Sequence, residues 1–139
     1  MKILVVDDSK AMRMIVKRTI RKAGFTGHEF IEASNGAEAY KMITGDNADN
    51  QPDLVMSDWN MPRMTGIDLA ERLQRENVVV PFGFVTSEGT KEMRDRACNA
   101  GALFLIAKPF TVAAFEEALG PVIPDIEPAG SEAADPAAE

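Results

Sequence analysis

Asp7-Asp8, Asp58, Thr86-Ser87 and Lys108-Pro109 each stand at the end of a short apolar run: Ile3 to Val6, Leu54 to Ser57, Val78 to Val85 and Leu103 to Ala107. If those runs are strands of one parallel sheet, the polar residues share the end at which open α/β sheets bind ligands. Three carboxylates, a hydroxyl and an ammonium then converge on one pocket. Carboxylates packed that closely repel and raise one another's pKa unless a cation neutralises them. A hard divalent ion answers that need. Mg²⁺ takes oxygen ligands, keeps several waters and is typically held by one or two carboxylates plus phosphate oxygens. With one aspartate of the Asp7-Asp8 pair and Asp58 as ligands, positions remain open for a phosphoryl group. A carboxylate held there can attack phosphorus and form an acyl phosphate, while Lys108 and Thr86 each meet a phosphoryl oxygen. The nucleophile is already an anion, so no general base is required.

The elements that must position these groups alternate strictly along the chain. A fifth run lies at roughly Glu29 to Ala33, and continuous apolarity predicts burial on both faces of each strand, as in a parallel sheet covered by helices. Between the runs, Met12, Ile15, Val16, Thr19, Ile20 and Ala23 keep helical spacing, with Ser9 as N-cap and Gly24 as stop. Shorter stripes occur at Ala37 to Ile43, Ile67 to Leu73, Met93 to Ala100 and Val112 to Leu119. Five strands and five helices joined by right-handed crossovers predict a flavodoxin-like (βα)5 three-layer α/β sandwich with parallel strand order 2-1-3-4-5. In that order the first and third strands are neighbours.

Length and charge exclude several other classes. A chain of 139 residues is the size of one domain, which argues against a receptor or multidomain regulator. The net charge of -7 comes from 22 acids and 15 bases. Five of the acids (Asp125, Glu127, Glu132, Asp135 and Glu139) and none of the bases follow Pro121, so 17 acids face 15 bases before it. Residues 1–120 are therefore expected to fold as the domain, with residues 121–139 an acidic, Pro/Ala-rich disordered tail. A nearly neutral body argues against direct nucleic-acid binding. No stretch has the roughly 18 apolar residues of a membrane span, and no signal-peptide pattern opens the chain, so a cytoplasmic location without membrane insertion is expected. Cys98, the only cysteine, suits a reducing compartment.

ILVVDDS at Ile3 to Ser9, SDWNMPRMTG at Ser57 to Gly66, VTSEGT around Thr86 and NAGALFLIAKPF ending at Phe110 together resemble a response-regulator receiver domain of the stand-alone, CheY-like type. The resemblance spans about Lys2 to Leu119, with the pieces in family order and spacing. It implies that Asp58 is the phosphoacceptor of a two-component phosphorelay. It further implies that Asp8 holds Mg²⁺ directly, Asp7 largely through water, and Asn60 through its backbone carbonyl. Thr86 becomes the switch hydroxyl, Lys108 the phosphate-binding lysine, and Lys108-Pro109 a cis bond. A histidine kinase or phosphotransfer protein would donate the phosphoryl group to a monomer. The downstream target, a chemotaxis-type or other protein, would dock on helix four, strand five and helix five. The chain would catalyse only its own phosphorylation and dephosphorylation, with Asn60 and Glu88 flanking the approach of water. Leu105 departs from the family, which usually carries Tyr or Phe there, and neighbouring Phe104 is expected on the opposite face. Output is then expected through Thr86 alone or a different partner surface. Gly120-Pro121 should also cut the last helix to about nine residues.

Three other functions compete. A phosphate sink or intermediate phosphorelay receiver would use the same site, and a degenerate receiver would serve only as a docking scaffold. A haloacid-dehalogenase-like phosphohydrolase also uses an aspartyl phosphate, but with a D-x-D first strand that Asp7-Asp8-Ser9 breaks. Plainer roles are expected elsewhere: Thr90 rather than Thr86 as a helix cap, Cys98 as a buried small hydrophobe, His28 as an ordinary polar position. Trp59 is expected partly exposed beside the metal, and Met61 and Met64 on a mobile loop. The basic run Lys10, Arg13, Lys17, Arg18, Arg21 and Lys22 reads either as a solvated face or as steering for an acidic partner.

Overall fold

Almost every side chain of β1 (Lys2–Val6), β3 (Leu54–Ser57) and β4 (Phe82–Thr86) is buried, whereas β2 (Glu29–Ala33) and β5 (Phe104–Ala107) are only partly covered. The computed structural model, which describes residues 1–45 and 51–123, gives the reason. Five parallel strands run in the order β2-β1-β3-β4-β5, so the second and fifth are edges. Burial on both faces, expected of every run, therefore holds only for the three inner strands, and Glu29 and Glu32 of β2 face solvent.

Register sets the level at which each strand releases its polar residue. Val6 pairs with Ser57, so Asp7 and Asp58 leave β1 and β3 side by side. Thr86 pairs with Ala107, which brings Lys108 to the same end of the sheet.

Five helices cover the two faces. On one side α1 (Lys10–Lys22) and α5 (Val112–Leu119) pack with Ile3, Val5, Leu54, Met56, Val85 and Ile106. On the other, α2 (Gly36–Thr44), α3 (Gly66–Arg75) and α4 (Lys91–Asn99) enclose Leu4, Val6, Val55, Phe82 and Phe84. Alternate strand residues divide between these layers because successive side chains point to opposite faces. Each helix starts at a side chain that accepts from the backbone N–H three residues on: Ser9, Asn35, Thr65, Thr90 and Thr111. Such caps satisfy an otherwise unpaired donor at the first turn. Thr90, not Thr86, caps α4, and α5 ends after eight residues.

Some elements are shorter or turned relative to expectation. The run from Val78 to Val85 is a strand only from Phe82. Pro81 lacks an N–H for the ladder, and Val79 is 96% exposed. Leu103 similarly lies outside β5 and is largely exposed, though its N–H already donates to the Phe82 carbonyl. On α1, Ile15 is 41% exposed because Val16, Thr19 and Ile20 take the buried stripe. On α4, Ala97 is buried, as is Ala100 just beyond its end, which turns Cys98 outward. Apolar packing also continues to Ile123, a fully buried residue, beyond the domain boundary set at residue 120. From residue 124 on, the expected tail lies outside the described residues.

Candidate functional site

Carboxylate oxygens of Asp7, Asp8 and Asp58 lie within 4.8 Å of one another at the ends of β1 and β3. Asp7 is buried, Asp58 intermediate and Asp8 exposed, so the cluster has a closed floor and one open edge. Lys108 completes it. Its Nζ lies 3.5 Å from Asp7 Oδ2 and 3.7 Å from Asp58 Oδ1, reached from the position directly after β5, and the Lys108-Pro109 bond that follows is cis. Four of the five expected side chains thus meet. Thr86, fully buried at the end of β4, has its Oγ1 accepting from the Glu88 N–H at 3.3 Å, while its carbonyl accepts from the Lys108 N–H.

The backbone holds the acids in place. Asp7 Oδ1 accepts from the Ser9 N–H at 2.9 Å, and Asp58 Oδ1 from the Trp59 N–H at 2.8 Å. Gly66 closes the loop that carries Asp58, and a Cβ there would overlap the Asp58 carbonyl oxygen. Its N–H donates to the Trp59 carbonyl at 2.9 Å, and Ser57 Oγ donates to the Asp58 carbonyl at 2.8 Å. Gly66 belonged to the motif in sequence, but its requirement for close approach shows only once the loop folds back. Ser57 had no sequence signal, since it reads as the polar end of an apolar run. Arg13, read only as part of a basic run, donates from Nη1 to the Asp7 carbonyl at 2.6 Å.

Burial dominates the electrostatics. It pushes the Asp7 carboxyl above its ordinary range despite the Ser9 N–H and the Lys108 charge. Burial pushes Asp58 up as well, against the Lys108 charge and aided by repulsion from Asp7. A single ammonium therefore leaves the pair undercompensated. Three hard oxygen donors, two of them destabilised as anions by burial, fit a divalent cation of the Mg²⁺ kind.

Nearby residues correct several expectations. Trp59 is buried rather than partly exposed beside the metal: its ring turns under the loop, 4.9 Å from Phe84. Met61 is buried and Met64 partly buried in the same apolar layer, so the loop after Asp58 is anchored by its methionines. Three of the six residues of the basic run on α1 are tied to β2. Arg13 and Lys17 share Glu32 at 2.7 and 2.8 Å, and Arg21 lies over the Phe30 ring at 5.0 Å. His28 Nδ1 stands 3.3 Å from the Met1 amine, far from the acids in sequence and with no role among them. Leu105 packs with the α2–α3–α4 layer and Phe104 with the other, as alternation requires.

The response regulator receiver domain family matches residues 3–120. The chemotaxis protein CheY1 of Helicobacter pylori is 38% identical over 125 residues, covering 88% of this chain and 97% of that protein. CheY-3 of Vibrio cholerae is 39% identical over 121 residues, or 86% and 88% of the two chains. Among solved structures, Vibrio cholerae CheY4 superposes with a TM-score of 0.72 at 29% identity, covering 88% of this chain and 98% of its own. A match to almost the whole described body, with the acid cluster and lysine at the strand ends where such a domain works, leaves one assignment: the chain belongs to the response regulator receiver domains and is closely related to the chemotaxis response regulators of the CheY type.

Proposed function

We propose that the chain accepts a phosphoryl group on Asp58 from a histidine kinase or phosphotransfer protein in the cytoplasm, and passes the signal by changing how it binds a protein partner. The observation that carries this is Lys108 Nζ poised between Asp7 and Asp58 in a cluster of three carboxylates. Asp58 is the acceptor because it alone of the three leaves the central strand, with its carboxylate accepting from the Trp59 N–H. Asp8, Asp58 and the Asn60 carbonyl would hold Mg²⁺, with Asp7 beside them, and the ion would supply charge neutralisation and a seat for one phosphoryl oxygen. Lys108 pairs with a second oxygen and moves from Asp58 toward the product charge.

Thr86 supplies the link to the surface. Its hydroxyl turns to donate to the third phosphoryl oxygen, which releases the Glu88 N–H it now receives. Glu88 and Gly89 lead into α4, and Leu105 of β5 lies against Gly89, near enough that a Cβ there would meet Leu105 Cδ2 at 3.7 Å. A small aliphatic side chain at this place leaves the loop free to follow Thr86. The target surface is accordingly α4, β5 and α5. The chain performs chemistry only on itself, including the loss of its own phosphoryl group.

Incubation with acetyl phosphate and Mg²⁺ is expected to add one phosphoryl group, about 80 Da, which is absent in Asp58→Asn. Labelling that persists in that variant would place the acceptor elsewhere.

A further inference from the structure

Beside the acid cluster lies a hollow of about 570 Å³ lined by Asp8, Ser34, Asn35, Glu38, Lys41 and Arg63, with Ala37 and Pro62. Asp8, the exposed member of the cluster, belongs to both, so the hollow adjoins the acids. The charges in its wall are not equivalent. Glu38 Oε1 is held by the Ser34 N–H at 2.6 Å and the Ser34 hydroxyl at 2.9 Å, which turns it toward its own loop. Lys41 and Arg63 are exposed and make no ion pair among the described residues. Arg63 also occupies the left-handed region at φ 71°, a conformation that Gly or Asn holds at lower cost. Its side chain, rather than its backbone, distinguishes it at that position.

We propose that this hollow receives the leaving group of an acyl phosphate, with Lys41 and Arg63 stabilising the departing carboxylate; the inference rests on Asp58 as the acceptor. In the transfer, an Asp58 carboxylate oxygen forms the new bond to phosphorus. The bond from phosphorus to the acyl oxygen breaks, and its electron pair leaves on the carboxylate. No proton moves. Negative charge therefore builds on the leaving group, and a leaving group seated in the hollow beside Asp8 would meet Lys41 and Arg63, two cations without an ion pair among the described residues. A donor that releases a neutral amine places no such charge there.

The test compares labelling of the full chain, with Mg²⁺, by acetyl phosphate and by phosphoramidate, whose leaving group is ammonia. Lys41→Gln combined with Arg63→Asn is expected to slow acetyl phosphate by roughly fivefold or more and phosphoramidate by less than about twofold. Asn suits the backbone at residue 63, so the loop is retained. Lys41→Arg, which keeps the charge, should preserve the wild-type ratio between the donors. Raising ionic strength should slow acetyl phosphate more in the unmodified chain than in the double variant, which lacks two of the charges being screened. Equal losses with both donors, or none with either, overturn the inference while Asp58 stays labelled. If neither donor labels the unmodified chain, the acceptor reading falls and takes the inference with it.

Discussion

α3 and α4 lie on the same face of the sheet, are ten and nine residues long, and each follows a loop of the site, yet they are held very differently. α3 buries Gly66, Ile67, Leu69, Ala70 and Leu73. α4 buries only Ala97, with Met93 partly covered, and is otherwise attached at its surface. Glu71 of α3 grips Arg96 with two hydrogen bonds of 3.0 Å, and Gln74 Nε2 donates to the Asn99 carbonyl. Each large apolar side chain removed from water contributes about 1.5–3 kcal/mol. The difference between the helices is therefore several such increments. The loop carrying Asp58 leads into a deeply buried helix, and the loop after Thr86 into a thinly covered one. The switch proposed above would use that division, with chemistry on the buried side and its report through the weakly held element.

The largest expected effect is on stability. Leu69→Ala in α3 should cost about 2–5 kcal/mol, the range for truncating a fully buried leucine. Met93→Ala in α4 should cost only about 1 kcal/mol, since the site is half open. Urea midpoints of the two variants at unchanged slope measure the contrast, and equal losses would break it.

Next comes the charge buried on the fixed side. Burial holds the Asp58 carboxyl above its ordinary range, so the folded chain binds that proton more tightly than the unfolded chain does. The resulting stability is complete below the ordinary carboxylate pKa and is lost as pH rises through the folded one. Above both, the ionised group opposes folding. Asp58→Asn should then melt a few degrees higher than the unmodified chain at neutral pH without divalent metal, and the gap should close as pH falls to about 4. Millimolar Mg²⁺ should raise the melting temperature of the unmodified chain more than that of the variant. A gap that widens toward acid pH would reverse the sign and remove the strain assigned to this cluster.

The same contrast separates what sequence could show from what it could not. Strand order, the Ser9 and Thr90 caps and the meeting of Asp7, Asp8, Asp58 and Lys108 were legible, because continuous apolar runs locate buried strands and polar residues at their ends locate the site. Fine positions within an element were less so. Trp59 follows Asp58 and reads as a loop residue, yet the tight return at Gly66 draws its ring onto Phe84. Cys98 and Ala97 are equally apolar neighbours, and which one faces the core depends on where Thr90 starts the helix. The run from Val78 overshot β4 because hydrophobicity alone does not register the donor missing at Pro81. Helix α4 illustrates the broader gap: its stripe from Met93 to Ala100 resembled the others, and only packing shows how little of it is covered.

The smallest effect concerns the surface grip on α4. Glu71→Gln removes the bidentate partner of Arg96, whose guanidinium is held charged by that carboxylate. Exposed pairs contribute about 0.2–1 kcal/mol, so global stability should change by no more than that and less at high salt. Local opening should respond more clearly than the melting point. Because α4 has one fully buried side chain, weakening its edge should speed hydrogen exchange of its amides while α3 amides keep their rates. Uniform acceleration across both helices would mean that they open as one unit, and the division between a fixed and a movable side would not hold.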